Sequence, residues 1–243
     1  MGDFVHFIKH LIGLCGETSH PSLLISGGVF LTTFGLYWKK INRLYERFTL
    51  MKIGIDVDGI LRDFCDGLTT TVKKYYPEYI KETEIPDEWC KIKDWHLENN
   101  FNCTKEDLQQ IYWYDHAETI MGKGKPIEGS IEKMKILSEW AEEKGHDLVC
   151  VTSQKPHARH HTLSWLGNHK LNFDTVYFRK GRQKWKVDVD YLVDDSPSNW
   201  DAWVKGRGME HGFILMDRVY NQHIKSNYRI NKLDEVMGII DAN

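Results

Sequence analysis

Ile53-Gly-Ile-Asp-Val-Asp-Gly-Ile-Leu-Arg-Asp-Phe64 opens as a short apolar run, reaches two carboxylates one residue apart, and turns at a glycine. A strand buried on both faces of a parallel sheet reads as such a run, and open α/β sheets bind ligands beyond the carboxyl ends of their strands. Asp56 and Asp58 are therefore expected together at the end of a first strand, where such folds do chemistry. Two acids so close repel each other unless a cation or a shared proton intervenes, which points to a metal, a proton-transfer role, or both. A solvated strand end closed by an Asp-Gly turn has the same spelling.

Working outward, two more apolar segments end in polar pairs. Leu148-Val-Cys-Val151 runs into Thr152-Ser153, and Tyr191-Leu-Val193 runs into Asp194-Asp195-Ser-Pro197. Between them lies the basic stretch Arg179-Lys-Gly-Arg-Gln-Lys-Trp-Lys186. The spacing predicts strands over 52–56, 147–152, 175–178, 191–194 and 212–216. Helices are expected over 64–76, 130–144, 158–166, 197–205 and 232–240, with Pro77 and Gly145 as stops and Ser196-Pro197 as a start. Strands alternating with helices of this length imply right-handed crossovers, hence an α/β fold with a doubly wound, parallel, Rossmann-like sheet. Residues 77–125 hold no strong apolar strand but many aromatics, and Thr104-Lys-Glu-Asp107 reads as a helix start. That block is expected to be a small helical cap inserted after the first strand, over about 65–125.

The order DVDGILRDF, VTSQ, a lysine, then LVDDSP resembles the haloacid dehalogenase-like phosphohydrolases, and most of all their 5'(3')-deoxyribonucleotidase branch, including versions carried by bacteriophages. It covers roughly residues 51–240; the first and last motifs are specific, the middle two weak alone. The resemblance implies that Asp56 attacks phosphorus to form an aspartyl-phosphate. It implies that Asp58 serves as general acid and then base, with its backbone carbonyl reaching the metal, while Gly59 lets phosphate approach backbone amides. Thr152, with Ser153 beside it, would bind a phosphoryl oxygen, unless these hydroxyls merely satisfy a strand end. Lys184, ten residues before Asp194, would neutralise phosphate, with Lys180 and Lys186 as rivals, and Arg159 would be a second cation near the nucleotide. Asp194 and Asp195 would complete a metal set with Asp56 and Asp58, and oxygen-only ligands suit Mg²⁺. Phe64, Trp89, Trp95 and Trp113 are candidates to stack on a base, against their ordinary reading as core. His157, His160 and His161 read as a polar helix surface rather than a metal cluster.

Composition sets the outer limits. The chain has 243 residues and a net charge of −3. Residues 1–50 carry five Lys/Arg against three acids, +2, which leaves −5 for the remainder. An acidic body with a local basic patch suits a small anionic substrate and argues against a general nucleic-acid binder. The five cysteines are scattered, without a CxxC pair, which argues against a disulfide framework or structural zinc and for a reducing compartment. Residues 1–50 are expected to be a separate helical segment and 51–243 the phosphatase-like domain, with Met51 as an alternative start. Residues 21–38 lack charge, are followed by Lys39, Lys40, Arg43 and Arg47, and approach the ~20 residues that cross a bilayer. They read either as a membrane anchor that leaves the enzyme body in the cytoplasm or as a helix packed on protein. The expectation for the whole is a Mg²⁺-dependent phosphomonoesterase for (deoxy)nucleoside monophosphates. The alternatives are a phosphatase for another small phosphate or a nucleic-acid end, and an inactive membrane-tethered binding protein. Oligomeric state is not legible.

Overall fold

In the computed structural model, which describes residues 50–81 and 94–242, the apolar runs become parallel strands. These are β1 (Lys52–Ile55), β2 (Asp147–Thr152), β3 (Thr175–Phe178), β4 (Tyr191–Asp194), β5 (Phe213–Met216) and β6 (Arg229–Ile230). They form one sheet in the order β3-β2-β1-β4-β5-β6, and every pairing is parallel. β1 lies between β2 and β4, where the winding reverses and a crevice opens beyond the strand ends. β6 is only two residues long, too short to leave a periodic signal in the sequence.

The helices are α1 (Phe64–Tyr75), α2 (Lys105–Gln110), α3 (Ser130–Lys144), α4 (Arg159–Asn168), α5 (Pro197–Arg207) and α6 (Glu235–Asp241). Their ends follow local chemistry. The Ser196 hydroxyl accepts from Asn199 N with Pro197 in the first turn, Thr104 and Asp107 form a reciprocal capping box, and Gly145 closes α3 at φ +76°. Two helix starts differ from the sequence pattern. The helix expected from residue 158 begins one residue later, after a 3₁₀ turn over Pro156–Ala158. The last helix starts at Glu235 rather than 232, because the Glu235 side chain reaches back to Lys232 N and makes 232–234 its lead-in turn.

Strand alternation sorts the core into two layers. Ile53, Ile55, Leu148, Cys150, Tyr191 and Val193 face α3, α4 and α6, whereas Val149, Val151, Leu192, Phe213 and Leu215 face Trp203 of α5. Gly54 sits between the central strands; a Cβ there would come within 3.0 Å of Val151 and 3.1 Å of Leu192. Burying each such side chain contributes roughly 1.5–3 kcal/mol, so the sheet's centre is the stable platform for whatever its strand ends carry.

A third apolar cluster belongs to the cap. Phe64, Cys65, Leu68 and Val72 of α1 pack against Leu108, Ile111, Ile120 and Met121. Beyond α2 the chain continues in two π-helical turns, Ile111–Asp115 and Glu118–Gly122, wide turns of a kind frequent at functional sites. Residues 21–38 and Trp89 lie outside the described residues. Among the described residues no helix is long and apolar enough to cross a membrane.

Candidate active site

Asp56 directly follows β1, and its amide donates to Val193 O of β4 at 3.0 Å. That pairing brings it level with Asp194, the last residue of β4, and with Asp195. One carboxylate oxygen from each of Asp56, Asp194 and Asp195 lies within 4.8 Å of the others, and all three residues are buried. Lys184, on a 3₁₀ turn after β3, projects Nζ between two of them, 2.5 Å from Asp56 Oδ2 and 2.7 Å from Asp194 Oδ2. Its sequence rivals Lys180 and Lys186 are exposed. Asn199 Nδ2 donates to both Asp194 oxygens, at 3.2 and 2.9 Å, and Ser196 N donates to Oδ1 at 2.9 Å. The Tyr220 hydroxyl donates to Asp195 Oδ2.

The charges do not balance. Three buried carboxylates face one ammonium. Burial pushes the Asp56 carboxyl well above the usual carboxylate range, with Asp194 and Asp195 adding to the rise and Lys184 opposing it. Burial and then Asp194 raise Asp195 to about 7, against the Tyr220 hydrogen bond. Burial alone would lower Lys184, but Asp194 and Asp56 outweigh it and hold the ammonium protonated above its ordinary value. An all-oxygen donor set short of two positive charges fits a hard divalent cation such as Mg²⁺.

Asp58 stands apart from the trio. Its Oδ1 accepts from Arg62 Nε at 2.8 Å and its Oδ2 from Gln154 Nε2 at 3.0 Å. Its carboxylate is therefore not among the grouped oxygens, and of the expected ligand role only the backbone carbonyl is left. Gly59 also has a different reason from the one the motif suggested. Its amide is used inside the turn, donating to Arg62 O at 3.1 Å, and its carbonyl accepts from Arg218 at 3.1 and 2.7 Å. It sits at φ +78°, and a Cβ there would overlap the Asp195 carboxylate. Glycine is required so that Asp195 can approach.

These groups open onto a cavity of about 220 Å³. One wall is polar: Asp56, Asp58, Thr152, Ser153, Lys184 and Asp195. Thr152 Oγ1 and Ser153 Oγ are buried without a hydrogen-bond partner among the described residues, so each has a hydroxyl to offer a ligand. The facing wall comes from the cap: Phe64, Trp95, Leu97, Tyr112, Trp113 and Met121. Tyr112 meets Phe64 edge-on at 5.2 Å and Trp113 at 4.9 Å, which fixes the orientation of the aromatic surface. Arg159 does not line this cavity; its guanidinium lies over the Phe178 ring at 5.0 Å, at the end of β3. His157 Nε2 is bonded to Trp113 O, and the His160 and His161 rings lean on each other at 3.8 Å. Sequence reasoning missed Arg62, Gln154, Asn199, Arg218 and Tyr220. Asn199 had a local signal, three residues into a helix capped by Ser196; Arg62 and Gln154 lie inside the DVDGILRDF and VTSQ motifs, which do not show their role, and Arg218 and Tyr220 act over sequence gaps that no motif marks.

With this geometry in view, comparison with known proteins is specific. A family model described as 5' nucleotidase, deoxy (pyrimidine), cytosolic type C protein matches residues 50–243. A protein of Oceanobacillus iheyensis that carries a nucleotidase name is 25% identical over 189 residues, spanning 74% of this chain and 94% of its own length. A protein of Chlorobaculum tepidum that carries the name 5'(3')-deoxyribonucleotidase is 23% identical over 214 residues, spanning 86% and 98%. Among solved structures, a haloacid dehalogenase-like hydrolase from Streptococcus pneumoniae superposes with a TM-score of 0.53 at 14% identity, over 79% of this chain and 99% of that one, a likeness of fold.

Proposed function

This chain belongs to the cytosolic type C 5'-deoxynucleotidase family, phosphoric monoester hydrolases of haloacid dehalogenase-like fold, and from that membership we propose that it hydrolyses deoxyribonucleoside monophosphates through an aspartyl-phosphate on Asp56. Phosphate monoesters are among the slowest esters to hydrolyse unaided, with accelerations of up to ~10²¹ required of their enzymes. Placing a nucleophile in line and offsetting charge on the transferring group are the main devices.

In the proposed sequence an Asp56 oxygen bonds to phosphorus as the bond to the nucleoside oxygen breaks. Asp58 gives its proton to that departing oxygen. Asp58 then takes a proton from water as the water oxygen bonds to phosphorus, which breaks the bond to Asp56 and frees inorganic phosphate. Lys184 offsets negative charge throughout, and the Thr152 and Ser153 hydroxyls donate to phosphoryl oxygens. Asp56, Asp194 and Asp195 would hold Mg²⁺, whose contribution when bound is further charge stabilisation of the phosphoryl group.

The observation that carries this reading is the lining of the cavity, which combines unpaired hydroxyls and surplus carboxylates with an aromatic surface. A nucleobase stacks on such aromatic surfaces at ~1–3 kcal/mol per base. The test is phosphate release from a panel of nucleoside monophosphates and sugar phosphates, with and without Mg²⁺, by the native chain and Asp56→Asn. Preference for nucleotides, abolished by the substitution and by chelation, is expected. Normal turnover by Asp56→Asn, or no preference for nucleotides, rejects the reading.

One observation favours a second substrate, a phosphorylated nucleic-acid end. Gly181 lines the cavity, and its neighbours Arg179, Lys180 and Arg182 are exposed cations at the rim. Under that reading KM for a 5'-phosphorylated oligonucleotide lies below that of the mononucleotide and climbs steeply with salt.

A further inference from the structure

Arg62 has no solvent exposure, and burying a guanidinium costs several kcal/mol unless its donors are met. Here they are met by an unusual set. Nε donates to Asp58 Oδ1 at 2.8 Å, Nη1 to Met121 O, and both terminal nitrogens reach Thr162 Oγ1 at 3.3 Å. The guanidinium also lies 5.3 Å from the centre of the Trp165 ring. Its backbone stands where the cap joins the sheet. Asp63 N donates to Lys125 O at 2.8 Å and Ile127 N to Leu61 O at 2.9 Å, so the segments entering and leaving the cap run side by side at Arg62. A Cβ on Gly124 would come within 3.0 Å of the Arg62 side chain.

Met121 and Thr162 meet only the terminal nitrogens; Asp58 is the partner of Nε and the carboxylate paired with the buried charge, and that bond has a counterpart. Gln154 holds the other Asp58 oxygen, and both residues also touch one cap side chain: Met121 Sδ lies 3.4 Å from Arg62 Nη2 and 3.7 Å from Gln154 Nε2. Met121 lines the cavity.

We propose that Arg62, together with Gln154, is a positioning residue: the two side chains fix the Asp58 carboxylate for proton delivery to the departing oxygen, and their shared contact with Met121 makes that orientation depend on the seating of the cap. This rests on the reading of Asp58 as the proton donor. Neither residue lines the cavity.

The test exploits the leaving group. A deoxyribose oxygen needs a proton as it departs, whereas p-nitrophenolate leaves without one. Arg62→Met and Gln154→Met, in the full chain with Mg²⁺, are assayed on thymidine 5'-monophosphate and on p-nitrophenyl phosphate. Positioned acid catalysis is typically worth 10²–10⁴-fold, so kcat on the nucleotide is expected to fall about 100-fold with KM little changed, and at least tenfold less on the aryl ester. Equal losses on both substrates, or none on the nucleotide, overturn the proposal. Should Arg62→Met fail to fold, as judged by circular dichroism, Gln154→Met decides alone by the same criterion. Asp58→Asn separates the two levels. If it turns over the nucleotide normally, the functional reading falls; if it is inactive while Gln154→Met shows no leaving-group dependence, only the positioning proposal falls.

Discussion

The Lys184 ammonium lies 2.5 Å from the Asp56 carboxylate, with the two side chains 2% and 8% exposed. The charged groups that the lysine contacts are both carboxylates, and among the described residues it is the only cation in ion-pair contact with the buried acidic trio.

Lys184→Met is therefore expected to cost more than activity. Removing one partner of a buried ion pair typically destabilises by about 3–5 kcal/mol because the remaining charges stay uncompensated. Thermal melts should show a large drop in chelator and a larger rescue by Mg²⁺ than in the native chain. An unchanged melting temperature without metal contradicts the charge balance drawn here.

The stability of the metal-free protein should depend on pH through Asp195 and Asp56. Burial raises the Asp195 carboxyl from 3.8 to about 7 in the fold and raises Asp56 in the same direction, so the folded state holds protons that the unfolded chain has lost. The corresponding stability is complete below about pH 4 and is lost as pH rises through about 7. Lys184, raised above 10.5, adds no slope in that window. Melting temperature in chelator should fall across pH 4–7, and the gain on adding Mg²⁺ should grow over the same range. A flat profile refutes this.

Gly59→Ala is expected to act on the ligand set rather than on the turn alone. Left-handed backbone costs a non-glycine residue about 1–3 kcal/mol, and the methyl would displace the Asp195 carboxylate. Calorimetry should find Mg²⁺ binding weakened at least tenfold. Native affinity in this variant would mean that Asp195 does not contribute to the ion site.

A chain beginning at Met51 should fold and hydrolyse nucleotides. β1 starts at Lys52, and the family match begins at residue 50. Loss of activity on removing 1–50 would show that this segment completes the enzyme. Fractionation of both forms tests whether residues 21–38 tether the longer one to membranes.

The strands other than β6 and most helices were legible because burial imposes a period and because Ser196, Gly145 and Thr104 terminate elements by local chemistry. The carboxylate pairs were legible because strand ends converge in a parallel sheet. Lys184 is preferred over Lys180 and Lys186 for its spacing ten residues before Asp194; all three sit on one basic stretch, and the fold turns that one inward. Arg62 reads as an ordinary charge within a motif until its partners, Met121 and Thr162, are brought together from 59 and 100 residues away. The need for Gly59 likewise becomes visible only beside Asp195.

Tyr220 springs from the loop after β5, yet its ring is packed in the apolar cluster of the cap, 5.3 Å from Trp95, while its hydroxyl rests on Asp195. It works as a rivet through two plates. Lifting the cap would either pull an aromatic ring out of that cluster or draw the phenol away from Asp195. In the proposed reaction, release of the nucleoside would thereby be tied mechanically to the group that would grip the ion.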